Sequence, residues 1–177
     1  MTLHFPDIAF VGKAGAGKTT AAEILATGHG YRRLSLAGPL KDMAVQLWGP
    51  AAAKDRVRLQ RLGVAVRDID EHTWVDLLAR RIFDTREPVV VDDVRFPNEF
   101  SRLRGLGFIF VRICAPLEVR KARLLRNGKW AGEAALRHVS EVALDGYVTE
   151  YEIDNNDDPQ HLADALARIL DKEVQRT

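Results

Sequence analysis

The chain has 177 residues, of which 46% are hydrophobic and 29% charged, and its formal net charge at pH 7 is +1. This length supports one sizeable core and is short for two, so we expect a single domain over residues 1–177. A nearly neutral chain has no overall attraction for nucleic acid or for an anionic membrane, so neither is an expected partner. The single cysteine, Cys114, excludes an internal disulfide, and no export signal is visible, which predicts a cytosolic protein.

Short apolar runs alternate with longer helical patterns along the whole sequence. Strands are predicted over residues 7–12, 31–36, 88–94, 107–114 and 151–154. Helices are predicted over 18–27 (ended by Gly28), 39–48, about 54–68, 72–84, 97–105, 116–127 and 159–172. The continuously apolar strands indicate burial on both faces. This order predicts an α/β fold of three α/β/α layers around a parallel sheet with right-handed crossovers.

The stretch FVGKAGAGKTT, residues 10–20, satisfies the spacing G-x-x-x-x-G-K-[ST] between a predicted strand and a predicted helix. In that context backbone N–H groups and the helix dipole converge on one anion, so a nucleotide phosphate is the expected ligand. Lys18 is expected at the β- and γ-phosphates, and Thr19 beside Mg²⁺. The alternative is a chance glycine-rich turn. The expected nucleotide-binding residues are Gly12, Lys13, Ala14, Gly15, Ala16, Gly17, Lys18, Thr19 and Thr20, with no separate chemistry for Lys13 or Thr20.

A second polar cluster follows the apolar strand in PVVVDDVRFPNE, residues 88–99. Ligands of open α/β sheets bind outside the carboxyl ends of the strands, which is where these side chains emerge. Asp92 and Asp93 alternate in direction, and Asp92 is the candidate for the metal. Arg95 suits a phosphate, and Glu99 is expected to orient it or to complement the following helix dipole. Helix capping and structural ion pairs are the alternatives for these residues.

Six segments together resemble one family, the bacteriophage-type deoxynucleoside monophosphate kinases of the P-loop nucleoside monophosphate kinase superfamily. They are GKAGAGKTT, RLSLAGPLKDMA, LQRLGVAVRD, VVVDDVRFPNEF, HVSE and IDNN, and the resemblance runs from about residue 7 to 170. It implies a five-stranded parallel sheet with a helical lid. It also implies transfer of the γ-phosphoryl group of ATP to a deoxynucleoside 5′-monophosphate, with Mg²⁺, in the cytoplasm of a phage-infected bacterium.

The same resemblance implies an acceptor site within about residues 36–84, lined by Lys41, Gln60, Arg67 and Arg95. From the residues alone, Lys41 reads equally well as a solvated surface lysine, and Arg67 as a partner of a nearby aspartate. Gly38 and Val64 stand where family members carry an acid and often a threonine. Trp74 lies on an apolar helical stripe, which favours core packing over base stacking.

A basic stripe precedes an irregular segment, and the two form the expected lid over about residues 116–150. Arg120, Arg123 and Arg126 recur every three residues, and mobile arginines of this kind stabilise a transferring phosphoryl group while excluding water. A solvated basic helix face is the alternative. By resemblance Asn155 borders the donor base, although turn formation explains it equally well.

Other function classes remain open at this point. A GTPase-type switch needs an N-K-x-D element, which the sequence lacks, and a non-catalytic nucleotide-binding module has no need of Asp92, Arg95 and the lid arginines together. A kinase of another phosphorylated metabolite, of the dephospho-coenzyme A or phosphomevalonate kind, shares the predicted fold. A homodimer is compatible with the sequence, and the HVSE element, residues 138–141, predicts a hydrogen-bonded cluster without an assigned role.

Overall fold

The computed structural model of the chain describes residues 5–156 and 159–176. The strands are β1 (Ile8–Val11), β2 (Arg32–Leu34), β3 (Val89–Val91), β4 (Ile109–Cys114) and β5 (Tyr151–Asp154). The helices are α1 (Lys18–His29), α2 (Ala37–Trp48), α3 (Arg56–Ile69), α4 (Thr73–Phe83), α5 (Pro97–Gly105), α6 (Leu117–Arg126), α7 (Val139–Val142) and α8 (Pro159–Val174). Two short 3₁₀ helices, Pro50–Lys54 and Glu133–Arg137, complete the described elements.

The five strands form one parallel sheet in the order β2-β3-β1-β4-β5. The predicted parallel α/β fold is therefore confirmed. Because β1 pairs with β3 on one side and β4 on the other, the chain changes direction across the sheet at β1. Ligands of open α/β sheets bind at such a switch point, beyond the carboxyl ends of the strands. The glycine-rich loop after β1 and the aspartates after β3 both lie at this edge.

The core lies on both faces of the central strand β1, whose four residues are all fully buried. Side chains alternate along a strand, so Ile8 and Phe10 pack in a cluster with residues of α1 and α8. Ala9 and Val11 pack in a second cluster with residues of α4 and α5. Helices on both faces thus exclude water from β1, which positions the loop that follows it.

The edge strands differ from the prediction of burial on both faces, which was wrong for β2 and β5. In β2 the side chains of Arg32 and Arg33 are exposed, and in β5 those of Glu152 and Asp154 are exposed. An edge strand has a neighbour on one side only, and charged side chains there discourage pairing with another chain. Because these charged residues stand within the predicted strands, the sequence itself could have indicated that β2 and β5 are edge strands.

Helix boundaries depart slightly from those predicted. Helix α1 continues through Gly28 to His29 and ends at Gly30, which has φ 71° and donates its N–H to Leu25 O. Gly30, rather than Gly28, provides the left-handed residue that favours helix termination. The predicted helix near residues 54–68 is α3, and the Asp55 side chain accepts a hydrogen bond from Arg58 N at 3.1 Å at its start.

The irregular segment from 128 to 150 is tied back to the sheet. Arg112 on β4 donates to Leu144 O at 2.9 Å and to Tyr147 O at 2.6 Å, and the Leu144 side chain is buried. This segment therefore packs beside the edge of the sheet that carries the glycine-rich loop. In the two described ranges, none of the helices combines the length and the apolar character that crossing a membrane requires.

Candidate active site

A cleft of about 1040 Å³ opens at the carboxyl ends of β1 and β3. Twelve of the residues predicted from the sequence line it: Ala14, Gly15, Gly17, Lys18, Thr19, Thr20, Lys41, Asp92, Arg95, Arg123, Arg126 and Asn155. Sequence reasoning missed several further polar residues there, namely Arg33, Ser35, Arg56 and Lys129. The cleft wall therefore carries many more cationic side chains than carboxylates, which suits a polyanionic ligand.

The shape of the glycine-rich loop depends on glycine at positions 12, 15 and 17, and the last two of these line the cleft. Gly15 has φ 79° and Gly17 has φ 112°, in the region that side-chain-bearing residues avoid. A Cβ atom on Gly17 would lie 2.2 Å from Asn155 Nδ2, and one on Gly15 would lie 2.8 Å from Arg120 O. These close approaches let the backbone curl around a ligand while the loop rests against its neighbours.

Lys18, the first residue of α1, folds its side chain back over the loop. Its Nζ donates to Gly12 O at 2.5 Å and to Lys13 O at 3.1 Å. Burial, assisted by the positive charge of Arg95, lowers the pKa of Lys18 from 10.5 to about 8. A desolvated ammonium group at a helix N-terminus attracts an anion more strongly than the same group in water.

Thr19 and Asp92 meet at the end of β3, as their predicted metal role requires. The Thr19 hydroxyl donates to Asp92 Oδ2 at 2.8 Å, and the Asp92 side chain is almost fully buried. Arg33 also pairs with this carboxylate, through Nη2 to Oδ2 at 2.9 Å and Nε to Oδ1 at 3.2 Å. A hydroxyl and a carboxylate are the oxygen ligands that Mg²⁺ takes beside phosphate oxygens, so the donor set fits this ion.

Asp93 also lines the cleft, but its carboxylate turns to the start of α2 and has a structural role. Its two carboxylate oxygens accept the N–H groups of Leu36 at 2.9 Å and Ala37 at 3.0 Å, at the start of α2. Burial raises the pKa of Asp93, although these two hydrogen bonds oppose the shift. The predicted alternation thus separates a carboxylate beside Thr19 from one that caps a helix.

Glu99 accepts a hydrogen bond from the backbone of Arg95 and also pairs with the Arg67 side chain. Glu99 Oε2 accepts the N–H groups of Arg95 at 2.8 Å and Phe96 at 3.0 Å, and burial raises the pKa of this carboxyl. Arg67 Nη2 lies 3.6 Å from Glu99 Oε1, and its guanidinium carbon lies 5.0 Å from the centre of the Phe96 ring. Neither Glu99 nor Arg67 lines the cleft in this structure.

The remaining residues predicted for the acceptor site lie on α2 and α3. Lys41 lines the cleft and is exposed, and so is Arg56 at the start of α3. Gln60, one turn further along α3, is exposed to solvent and does not line the cleft. Trp74 is buried, and its Nε1 donates to Gly63 O at 3.2 Å, so the prediction of a core position is confirmed.

The arginines of α6 contact the loop directly. Arg120 donates to Ala115 O at 3.1 Å and Ala14 O at 3.3 Å, and Arg123 donates to Ala16 O at 3.4 Å. Burial and the neighbouring Arg126 lower the pKa of Arg123. Arg123 and Arg126 face the cleft, whereas Arg120 supports the loop from outside it.

Asn155, after β5, is a buried support for the loop. Its Nδ2 donates to Ala16 O at 2.7 Å, and the side chain is 4% exposed. The residue also lines the cleft, so a position beside a bound nucleotide is compatible with this bond. Gly12, Lys13 and Ala16 lie in the loop but do not line the cleft.

Comparison with known sequences gives a family match and several relatives. The profile of the AAA domain family AAA_18 matches residues 8–153. The uncharacterized protein ORF77 of Ictalurid herpesvirus 1 (strain Auburn) is 29% identical over 92% of this chain and 69% of its own length. A UPF0200 protein of Methanosarcina acetivorans is 32% identical over 69% of this chain and 66% of its own. The chain thus spans about two thirds of the length of these relatives.

Solved structures share the fold at low sequence identity. Shikimate kinase from Acinetobacter baumannii, in complex with shikimate, superposes with a TM-score of 0.61 at 17% identity, covering 97% of this chain and 96% of its own. A gluconokinase from Sinorhizobium meliloti superposes with a TM-score of 0.61 at 20% identity, covering 98% and 99%. The chain has the P-loop kinase fold. At such identities, the acceptors of these two enzymes cannot be assigned to this chain.

Proposed function

Because the chain belongs to the AAA domain family AAA_18, we propose that it transfers the γ-phosphoryl group of Mg·ATP to a deoxynucleoside 5′-monophosphate. The products are ADP and the deoxynucleoside diphosphate. Family and fold support nucleotide-dependent phosphotransfer in general. The choice of acceptor rests on the cleft and on the sequence resemblance. A cytoplasmic location is part of the same proposal and rests on the resemblance.

The observation that carries the proposal is a second group of cations in the cleft. Lys41, Arg56 and Arg95 line it in addition to the glycine-rich loop and Lys18. A nucleotide hydrolase needs one polyphosphate site, whereas a kinase with a phosphorylated acceptor needs two anion sites facing each other. Guanidinium groups suit the second site because their planar fork matches phosphate oxygens.

The acids of the cleft favour a phosphate over a hydroxyl as the attacking group. Asp92 and Asp93 are the carboxylates among the described residues that line the cleft. Asp92 is paired with Arg33 and Thr19, and Asp93 accepts two backbone N–H groups, so both are engaged. A hydroxyl acceptor needs a general base, whereas a monophosphate oxygen is already ionised and needs only alignment. Because both carboxylates already have hydrogen-bond partners, neither is available as a general base, which supports an acceptor that reacts through a phosphate oxygen.

The proposal assigns a role to each group that lines the cleft. The loop, Lys18 and the α6 arginines bind the donor phosphates and the transferring group, and Asn155 lies beside the donor. Thr19 and Asp92 would hold Mg²⁺, which supplies charge neutralisation at the phosphates. Arg95, Lys41 and Arg56 bind the acceptor phosphate. A role for Gln60 and Arg67 in acceptor binding stays a prediction, since neither lines the cleft.

A phosphorylated metabolite other than a nucleotide is the second candidate acceptor, because the two-anion argument applies to it equally. The test is ADP release from Mg·ATP with each deoxynucleoside monophosphate, each ribonucleotide, dephospho-coenzyme A and phosphomevalonate. A reaction without acceptor is the control. ADP that depends on a deoxynucleotide supports the proposal, ADP with a metabolite alone selects the second candidate, and ADP without acceptor contradicts both.

A further inference from the structure

Glu141 belongs to the HVSE element and contacts the active site from α7. Its Oε2 accepts the N–H of Ala14, in the glycine-rich loop, at 2.6 Å. Its Oε1 accepts Arg95 Nη1, from the segment that follows β3, at 2.7 Å. One carboxylate thus connects the loop that cradles the donor with the arginine proposed to bind the acceptor.

The neighbours of Glu141 hold it in place. The His138 side chain accepts the N–H of Ser140 at 3.3 Å and lies 2.8 Å from the Ser140 hydroxyl, which caps the first turn of α7. Asp145 pairs with Lys13 at 2.5 Å. Together with the buried Leu144, these contacts fix α7 against the loop and give the HVSE element a physical role.

Glu141 and Arg95 form an ion pair, called here the bridge, in which the glutamate is much more buried than the arginine. The Glu141 side chain is 9% exposed, and that of Arg95 is 43% exposed. The backbone of Arg95 is already fixed by Glu99 Oε2, at 2.8 Å. Two acids therefore define the two ends of Arg95: Glu99 holds the main chain and Glu141 holds the guanidinium group.

We propose that Glu141 is a positioning residue, which sets the Arg95 guanidinium at a fixed distance from the glycine-rich loop so that donor and acceptor phosphates align. This inference rests on the proposed function. Phosphoryl transfer depends mainly on alignment, and a displacement of about 1 Å costs on the order of a hundredfold in rate. A carboxylate is needed because it presents two acceptor oxygens to two donors.

Glu141→Gln tests the inference with almost no change in shape. A glutamine side chain has one acceptor oxygen and one donor nitrogen, so it can satisfy either Ala14 N–H or Arg95 but not both. We expect kcat to fall on the order of tenfold to a hundredfold, with the KM for ATP changed much less.

The chain offers a matched control in Glu150, which bridges an arginine and a backbone N–H in the same way but away from the cleft. Its Oε1 accepts Arg104 Nη2 at 2.7 Å, and its Oε2 accepts Phe110 N at 2.8 Å. Glu150→Gln removes the same two kinds of hydrogen bond at a more exposed site, where the glutamate side chain is 39% exposed, so it reports the structural cost of losing them away from the cleft. We expect its kcat to stay within about threefold of the unmodified protein.

A double-mutant cycle separates positioning from a general structural effect. If Glu141 acts through Arg95, then Glu141→Gln should lower kcat no further, within about twofold, once Arg95→Met is present. Multiplicative losses in the double variant, or equal losses in Glu141→Gln and Glu150→Gln, would overturn the inference.

Urea unfolding of the unmodified protein, the two single variants and the double variant tests the bridge without any substrate. Non-additive changes in unfolding free energy for Glu141→Gln and Arg95→Met are expected, and additive changes contradict the bridge. If the unmodified protein releases no ADP with any phosphorylated acceptor, the proposed function fails, while the urea cycle still decides whether Glu141 holds Arg95.

Discussion

The proposed donor side and the proposed acceptor side of the cleft are built differently. On the donor side the glycine-rich loop is held by Asn155 at Ala16 O, by Arg120 at Ala14 O and by Glu141 at Ala14 N. On the proposed acceptor side Lys41 and Arg56 are exposed, and among the described residues neither side chain forms a hydrogen bond or an ion pair. The proposed donor site is therefore preorganised. On the proposed acceptor side Arg95 is held by Glu99 and Glu141, whereas the Lys41 and Arg56 side chains are free to adjust.

This difference indicates how each half contributes to phosphoryl transfer. A preorganised site aims fixed dipoles and charges at the transferring group, and it needs no rearrangement during the reaction. Exposed cations on long side chains gain contacts only when an anion arrives, and they lose conformational entropy as they do so. Removing a fixed charge such as that of Lys18 should therefore affect the rate most, whereas removing an exposed cation such as Arg56 should affect acceptor affinity.

The largest expected effect comes from removing the Lys18 ammonium group. Lys18→Ala should lower kcat about a hundredfold or more, because a charge placed against the transferring phosphoryl group contributes several kcal/mol to its stabilisation. Steady-state ADP release with the best acceptor measures this loss. Lys18→Ala removes a desolvated charge together with its hydrogen bonds to Gly12 O and Lys13 O, so these two effects on the unfolding free energy oppose each other, and urea unfolding measures their balance. An active variant would contradict the assignment of the loop.

A methyl group on Gly17 should disrupt the donor side by geometry alone. Gly17→Ala forces a side chain into φ 112°, with its Cβ 2.2 Å from Asn155 Nδ2. Strain of this kind costs about 1–3 kcal/mol, so we expect a loss of stability and at least about a tenfold weaker affinity for ATP. Urea unfolding and equilibrium ATP binding measure the two effects.

Gly28 provides the control for that substitution. It lies within α1, and a Cβ atom there would meet nothing within 4 Å. Gly28→Ala should stabilise the helix by up to about 1 kcal/mol and leave ATP affinity unchanged. If Gly17→Ala, like Gly28→Ala, lost neither stability nor ATP affinity, the loop would tolerate a side chain and Gly17 would have no special conformational role.

The same contrast explains what could be predicted from the sequence. The glycine-rich loop could be predicted from local residue spacing, and the parallel sheet could be predicted from the alternation of strands and helices. The bond from Asp93 to the start of α2, the pairing of Arg33 with Asp92 and the bridge through Glu141 join residues between 46 and 127 positions apart. Such contacts depend on how crossovers stack on the sheet, which a single sequence does not specify.

Arg67 and Arg56 illustrate this limit on the acceptor side. Both are arginines of α3, and resemblance favoured Arg67, yet the packing of α5 places Glu99 and the Phe96 ring beside Arg67. Arg56, at the other end of the helix, lines the cleft instead. Helix periodicity gives the face that a residue occupies, but the neighbouring helix determines which end of that face borders the ligand.

The smallest expected effects are on the acceptor side, and they separate the structural assignment from the one implied by resemblance. Arg56→Ala should raise the KM for the acceptor about threefold to tenfold while kcat changes little, because an exposed cation contributes about 1 kcal/mol to binding an anion. Gln60→Ala, from the same exposed helix, should leave both constants within about twofold. Initial rates at varied acceptor and saturating ATP measure both. If Gln60→Ala has the larger effect on KM, then α3 moves when the acceptor binds, and the residues that line the open cleft are not those that line the closed one.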